Sequence, residues 1–476
     1  MTRRWTALLV PPLVAAVVAG VLLADVPRVA GLSVLVAVVV LLAVGAVAAA
    51  LRGPDAVGLA LLTVAVGAAS WNGAGIGGFQ VAHLALAAAT LVLVTVAVVR
   101  KRSLAVPPWA VVLPAAIVLV FAASEVWPTA DSYLERRVQV PIPAVIAATL
   151  PTWHAANVLG AVGWLISAAA LPLAACLAVR VRPAMAGRLA DAWVLGAAVS
   201  AAVALTDAVG VTRISAALIP VIDIGGRQAG LSAQPNHLAV AIALVAPVVT
   251  WRVVTTSTLA RGAAWLGVGA VLAGGLLVSG SRGGLVGAAV GVFVTLCVLP
   301  AGRRLIVPAA GLLLGAAAVT VAVAPDSVTG LAESLRLTGA ASAAESDSIR
   351  AGIADQALVD FGHSPFRGIG LPVIADGHSI YLQLLAAGGV LLALAFALAV
   401  VGCALDARAL ARRQGDLPRV LLVALGVWLL VGLVENQLTD VYLYVPFALL
   451  AGLCALPQPA GTAAPHRVLS FSGGPS

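Results

Sequence analysis

Arginines flanked by glycine and serine are the residues of this sequence best suited to binding an anion. Arg227 lies in the segment GGRQAG at 225–230, and Arg282 lies in SGSRGG at 279–284. A guanidinium matches phosphate oxygens through two parallel hydrogen bonds, and glycine lets backbone N–H groups approach the same anion. The two segments therefore predict a site for phosphate or another anion.

A third arginine and a histidine extend this set. Arg350 falls in the first turn or so of a predicted helix at 347–361, and His378 precedes Ser379 at the start of a long apolar run. The ordinary pKa of histidine lies close to neutral pH, so His378 is suited to act as a general base. Anion binding and base catalysis are the two kinds of chemistry that these residues predict.

Two structural explanations for the arginines stay open. If the chain is a membrane protein, an arginine at the edge of the hydrocarbon layer can extend its charged end into water. It can also pair with a carboxylate. Asp223, Asp347 and Asp376 are the acids near enough in sequence to provide such pairs.

The sequence does not predict a metal site. Five of the six histidines fall on one predicted side of the membrane, but no two have the spacing of a compact ligand pair. All four cysteines lie inside apolar runs without a Cys-x-x-Cys pair, so neither a disulfide nor a thiolate metal site is indicated. We expect no metal and no other cofactor.

The composition identifies the setting of these residues as a membrane. Of 476 residues, 62% are hydrophobic and 10% are charged, whereas a soluble domain carries about 25% charge. The mean hydropathy is +1.10. The formal charge of +8 is not accompanied by basic stretches interleaved with aromatic residues, so we expect no nucleic-acid partner. The chain is predicted to be all-α and to cross the cell membrane many times, in contact with membrane lipids.

Fourteen apolar runs are long enough to be membrane spans. They lie at about 5–24, 30–51, 56–72, 81–99, 104–123, 155–179, 191–209, 236–256, 263–280, 284–301, 305–324, 379–403, 420–436 and 441–456. Glycines 284, 287 and 291 are spaced for close packing of one span against its neighbours.

The basic residues orient these spans. With the N-terminus inside, about two thirds of the 27 Lys and Arg residues fall in cytoplasmic segments. The loop at 405–419 is then inside, and the segments at 124–154, 210–235 and 325–378 are outside. The longest of these is predicted to contain the helix at 347–361, capped by residues 346–348 and ending at Gly362. All four candidate residues, from Arg227 to His378, then lie at the extracytoplasmic face.

We divide the chain into three parts. Residues 1–210 are predicted to form an N-terminal helix bundle. Residues 211–456 form a second membrane region that includes the external segment 325–378, and residues 457–476 form a disordered cytoplasmic tail.

Four segments together resemble the O-antigen ligase and polymerase superfamily. The stretch HSIYLQLL at 378–385 is similar to its His-Asn/Ser/Gln motif, and SGSRG at 279–283 to its Ser-x-Ser-Arg-Gly turn. Arg227 followed by Pro235-Asn236 is similar to its Arg…Pro-Asn-x-Leu-Ala segment. Arg350, Pro365, Gly368 and Gly370 follow its Arg…Pro-x-x-Gly-x-Gly pattern. The resemblance covers about 220–390. Leu392 stands where the ligases have a small residue, and Ser379 where asparagine is commoner.

The resemblance implies a GT-C-like, all-helical glycosyltransferase. Such an enzyme moves a glycan from a polyprenyl-diphosphate carrier to a hydroxyl of a glycan or glycolipid acceptor on the outer face, with inversion. His378 would be the base and Arg282 would stabilise the leaving diphosphate. Arg227, Arg350, Ser379 and Tyr381 would bind substrate. A ligase, a polymerase and a protein O-oligosaccharyltransferase remain alternatives, as does a transporter or flippase of lipid-linked glycans.

Overall fold

The structure is a computed structural model, and it confirms a largely helical chain. It describes residues 53–76, 79–137, 153–218, 226–308, 310–311, 341–375, 378–435, 437–456 and 469–471. The first predicted spans, at 5–24 and 30–51, lie outside these residues, as does most of the span at 305–324.

The described part of the first half of the chain, up to Leu218, contains eight helices. They are α1 (Pro54–Gly67), α2 (Val81–Val99), α3 (Trp109–Val126), α4 (Asp131–Leu134), α5 (Trp153–Leu165), α6 (Leu171–Val181), α7 (Met185–Ala208) and α8 (Ile214–Leu218). A 3₁₀ turn at Ala68–Ser70 follows α1, and a π-helical turn at Ile166–Ala170 joins α5 to α6.

Eight more helices follow in the described part of the second half. They are α9 (Pro235–Thr255), α10 (Leu259–Ser279), α11 (Arg282–Val298), α12 (Pro300–Pro308), α13 (Ala341–His363), α14 (Ile380–Ala411), α15 (Asp416–Val431) and α16 (Val441–Cys454). A 3₁₀ turn at Leu371–Ala375 precedes α14.

Seven of the described helical segments are long and apolar enough to cross a membrane. They are α2, α3, the continuous run Trp153–Val181, α7, α9, α10 and α14. Helices α11 and α12 are bent by 120° at their junction and would be an eighth span if counted together. The runs predicted at 56–72, 420–436 and 441–456 form shorter helices, so fourteen spans remain a prediction.

Four short strands accompany the helices in the part of the chain that the structure describes. β1 (Gly75–Ile76) pairs with β2 (Phe79–Gln80), and β3 (Leu104–Val106) pairs with β4 (Leu469–Phe471), both antiparallel. The span predicted at 104–123 therefore begins later, at Trp109, because Pro107 and Pro108 separate β3 from α3 and proline suits the start of a helix. The tail predicted to be disordered contributes β4; its other residues lie outside those described.

Helix α11 packs closely on α9 and α15, as its glycine spacing predicts. A Cβ atom on Gly284 would lie 2.4 Å from the Cβ of Ala239 on α9, and one on Gly287 would lie 2.5 Å from Val431 of α15. Only glycine permits backbones to approach this closely. The prediction that these glycines serve helix packing is confirmed.

Side-chain contacts join loops that the sequence places on the same side. Arg180 donates to Ser103, and Arg252 pairs with Asp191 at 2.7 Å, all in loops or helix ends predicted to be cytoplasmic. At the opposite ends of the helices, Gln80 donates to Asp440 at 2.9 Å. The order of the described helices therefore agrees with the predicted alternation of loops, whichever end faces the cytoplasm.

Candidate functional site

The backbone of α14 is broken at Gly389, and the segment at 365–370 packs against this break. Gly389 has φ +60°, a left-handed conformation that few residues except glycine adopt. The Val390 N–H donates to Pro365 O at 2.8 Å, and the Ile369 N–H donates to Ala386 O at 2.9 Å. The Pro-x-x-Gly-x-Gly segment is therefore held against α14 by main-chain hydrogen bonds.

His378 lies just before the first turn of α14. That first turn is fixed to the end of α15, because the Ile380 N–H donates to Gly432 O at 2.9 Å. Ser379 is the N-cap residue of α14, and its carbonyl accepts from the Gln383 N–H at 3.0 Å. His378 is therefore held beside the loop that joins α15 to α16.

Arg350 is carried to the same place by α13. The predicted helix at 347–361 is confirmed, but it is described from Ala341, so the cap predicted at 346–348 is wrong: these residues lie within the helix. Helix α13 packs against α14. It is also anchored by Asp360, whose buried carboxylate pairs with Arg137 at 2.7 Å and accepts from the Tyr133 hydroxyl at 2.8 Å.

Arg227 joins two of the motif segments. Its Nε donates to Ser279 O at 2.7 Å, at the end of α10, and an Nη donates to Oδ1 of Asn236 at the start of α9. Arg282 is the first residue of α11, where the Ser281 hydroxyl caps the helix by accepting from the Gly284 N–H at 3.4 Å. The turn that carries Arg282 is thus tied through Ser279 to Arg227.

Glu435, which was not predicted, lies between these groups. It is only 4% exposed, and its carboxylate accepts a hydrogen bond from Asn236. A Cβ atom on Gly283, next to Arg282, would lie 3.5 Å from Glu435 Oε1. Burial raises the pKa of Glu435 to about 7, although Arg350, Arg227 and Asn236 act to lower it. Glu435 therefore changes charge close to neutral pH.

A signal for Glu435 was present in the sequence. Glu435 falls inside the apolar run predicted as a span at 420–436. An ionisable residue within a span usually faces the protein interior and has a function. The sequence alone could not show which arginines would surround it.

His378 is half-buried beside Arg350. Burial, followed by the nearby Arg350 guanidinium, lowers the pKa of His378 to about 4. Its Nδ1 atom is buried and has no hydrogen-bond partner among the described residues. The imidazole is therefore neutral at neutral pH, as a proton acceptor must be. An anion bound next to Arg350 would offset the arginine charge and strengthen this base.

Ser379 and Tyr381 differ in what they contact. Ser379 stays half-buried next to His378, whereas the Tyr381 hydroxyl donates to Leu429 O of α15 at 2.8 Å. The Tyr381 ring borders a groove of about 400 Å³ between α14 and α15. Its walls are apolar and include Leu384, Phe396 and Val400. The groove thus begins one turn of α14 beyond His378.

Three of the other histidines that the sequence predicts on the outer side have partners of their own. His154 pairs with Glu125 at 2.7 Å, His237 lies 3.4 Å from an Asp440 carboxylate oxygen, and His363 stacks on Tyr133. Within the described ranges, no group of three or more His, Cys, Asp or Glu side chains could hold a metal ion.

The structure therefore brings together three of the six predicted site residues, and it places the backbone of a fourth, Arg282, next to them. Arg227 and Arg350 interact electrostatically with Glu435, and Arg350 also interacts with His378. Arg282 precedes Gly283, whose backbone adjoins the Glu435 carboxylate. Ser379 adjoins the cluster, and Tyr381 lies at the groove beside it. Comparison with protein-family models and with curated proteins gives no match to this chain.

Proposed function

We propose that the chain is a membrane glycosyltransferase that moves a glycan from a polyprenyl-diphosphate carrier to an acceptor hydroxyl. The observation that carries this proposal is the meeting of Arg227 and Arg350 at the buried Glu435, with His378 beside Arg350. These residues come from three separate parts of the sequence. Anion-binding groups next to a neutral imidazole are what such a transfer requires.

The arginines act on the leaving group. When the sugar leaves its carrier, negative charge grows on the diphosphate, and cations already in position stabilise it without first reorganising. Arg350 and Arg282 bind the diphosphate in this proposal, while Arg227 binds it and also holds the two motif segments together through Ser279 and Asn236. A diphosphate leaves without a proton, so the mechanism needs no general acid.

His378 acts on the acceptor. The neutral imidazole takes the proton of the acceptor hydroxyl as its oxygen forms a bond to the anomeric carbon. The bond from that carbon to the diphosphate oxygen breaks, and the electron pair stays on the diphosphate. Attack opposite the leaving group inverts the anomeric centre.

The apolar groove next to Tyr381 suits the carrier. A polyprenyl chain is hydrocarbon, and a groove walled by Leu384, Phe396 and Val400 offers it an apolar surface next to the diphosphate site. A water-soluble sugar nucleotide would gain nothing from this groove. The groove therefore favours a lipid-linked donor.

The reaction is assigned to the extracytoplasmic face. The distribution of arginine and lysine predicts that the loops that hold Arg227, Arg282, Arg350 and His378 lie outside the cell. The acceptor is a cell-surface glycan or glycolipid, so the protein is a ligase or polymerase of surface polysaccharide.

The test is an assay of purified protein in liposomes that contain a polyprenyl-diphosphate-linked oligosaccharide and an acceptor glycan. We expect polyprenyl diphosphate to be released only when acceptor is present, together with elongated acceptor, and a chelator to have no effect. Movement of intact donor across the bilayer, with no release of carrier, would show a transporter instead.

A further inference from the structure

A second charged pocket lies at the other ends of the helices, away from the site around Glu435. It is a cavity of about 710 Å³ between α11, the end of α14 and α15. Four arginines line it, and none of the described residues that line it is acidic. These arginines are Arg303, Arg408, Arg412 and Arg419.

The four arginines differ in what they contact. Arg419 pairs with Asp416 at 3.2 Å, and the Arg303 Nε donates to Cys297 O at 2.6 Å. Neither Arg408 nor Arg412 has a carboxylate within ion-pair distance among the described residues. The pocket therefore carries net positive charge that the described side chains do not neutralise.

The rest of the pocket is apolar and lies along the helices. Val290 and Val294 of α11 face Leu422 and Val423 of α15 across the cavity. The arginines lie at helix ends, and the valines and leucines lie further along the helices. The pocket is therefore positively charged at one end and uncharged along the rest of its length. A molecule that fits this gradient has an anionic end and a hydrocarbon chain.

We propose that this pocket binds an anionic phospholipid, with its phosphate among the arginines and an acyl chain along α11 and α15. Basic pockets between membrane helices on the cytoplasmic side recognise anionic headgroups in this way. The proposal uses only the membrane character of the chain and does not depend on glycosyl transfer.

Two neighbouring arginines provide a matched test. Both arginines are exposed, but Arg412 lines the pocket and the adjacent Arg413 does not. The purified full-length chain is incubated with phosphatidylglycerol or phosphatidylcholine, and bound lipid is counted by native mass spectrometry. We expect Arg412→Gln to weaken phosphatidylglycerol binding about fivefold, Arg413→Gln to leave it nearly unchanged, and phosphatidylcholine to bind weakly in every case.

A second variant tests the pocket without changing charge. Gly426 lines the cavity, and a Cβ atom there would meet no other atom within 4 Å. Gly426→Leu should fill part of the space and reduce phosphatidylglycerol binding while the helix stays intact. Equal effects of Arg412→Gln and Arg413→Gln, or unchanged binding in Gly426→Leu, would overturn the proposal. Glycerol phosphate binding as tightly as phosphatidylglycerol would identify a soluble phosphate site instead.

Discussion

Arg282 begins α11 immediately before Gly283, whose position adjoins the Glu435 carboxylate. If its guanidinium binds diphosphate through two hydrogen bonds, a lysine at this position keeps the charge but loses the paired geometry. We expect Arg282→Lys to reduce glycan transfer at least about tenfold and Arg282→Ala to reduce it further. The initial rate of transfer in liposomes measures both. Normal rates in both variants, at normal protein levels, would remove Arg282 from the mechanism.

Glu435 provides a prediction about pH. Its pKa is raised to about 7, so it is neutral below that pH and negatively charged above it. Its charge opposes a bound diphosphate, and we expect the affinity for intact donor to fall roughly three- to tenfold as pH rises from about 6 to 8. His378, with a pKa of about 4, does not titrate in this range in the free protein.

The matched variant for this prediction is Glu435→Gln, which keeps the shape of the side chain and removes its titration. Donor affinity in Glu435→Gln should change little between the same pH values. Equilibrium binding of the intact lipid-linked donor measures it, because both phosphates of that donor are esterified and keep their charge. The same pH dependence in both proteins would show that another group is responsible.

At the scale of the helices, the break in α14 has a measurable consequence. Gly389 has φ +60°, and a Cβ atom there would lie 2.4 Å from Pro365 O. Gly389→Ala should therefore strain the backbone by about 1–3 kcal/mol and displace the segment at 365–370. We expect a lower midpoint of thermal aggregation and weaker transfer.

A control for Gly389→Ala is available in α10. Gly267 lies in a regular part of that helix, and a Cβ atom there would meet nothing within 4 Å. Gly267→Ala should leave the thermal midpoint unchanged or raise it slightly, because alanine favours helix over glycine. If both variants lose the same stability, the break in α14 has no special role.

The limits of prediction also follow from the helices. The run predicted at 81–99 is α2 with the same bounds, and that at 236–256 differs from α9 by one residue at each end. Apolar runs and their polar ends are local features, so sequence predicts them well. The break at Gly389 depends on contacts with a segment twenty or so residues away, and glycine is ordinary in membrane helices.

The candidate site likewise has a part that the sequence could predict and a part that it could not. Arg227, Arg282, Arg350 and His378 could be selected from residue type and spacing, because their motifs are local. The arginines around Glu435 and the bridging role of Asn236 could not, because they arise only when α9, α11 and α15 pack together and α13 packs on α14. The pKa values of His378 and Glu435 depend on the same packing.

For the whole molecule, orientation in the membrane is the prediction to test. Ser348 on α13 and Gln414 between α14 and α15 are both exposed. In intact cells, an impermeant thiol reagent should label Ser348→Cys and leave Gln414→Cys unlabelled, relative to the unsubstituted chain. The reverse pattern would place the site around Glu435 in the cytoplasm and contradict glycan transfer at the outer face.

The central claim is that His378 removes the proton of the acceptor, and one comparison tests it most directly. His363 ends α13 and stacks on Tyr133 rather than joining the cluster around Glu435. Glycan transfer by His378→Ala and His363→Ala is therefore measured side by side in liposomes, together with binding of the lipid-linked donor. A positioned general base contributes about 100- to 10,000-fold to the rate. We predict that His378→Ala binds donor but loses transfer by that factor, while His363→Ala retains most of its rate. Transfer by His378→Ala at the wild-type rate would contradict the account.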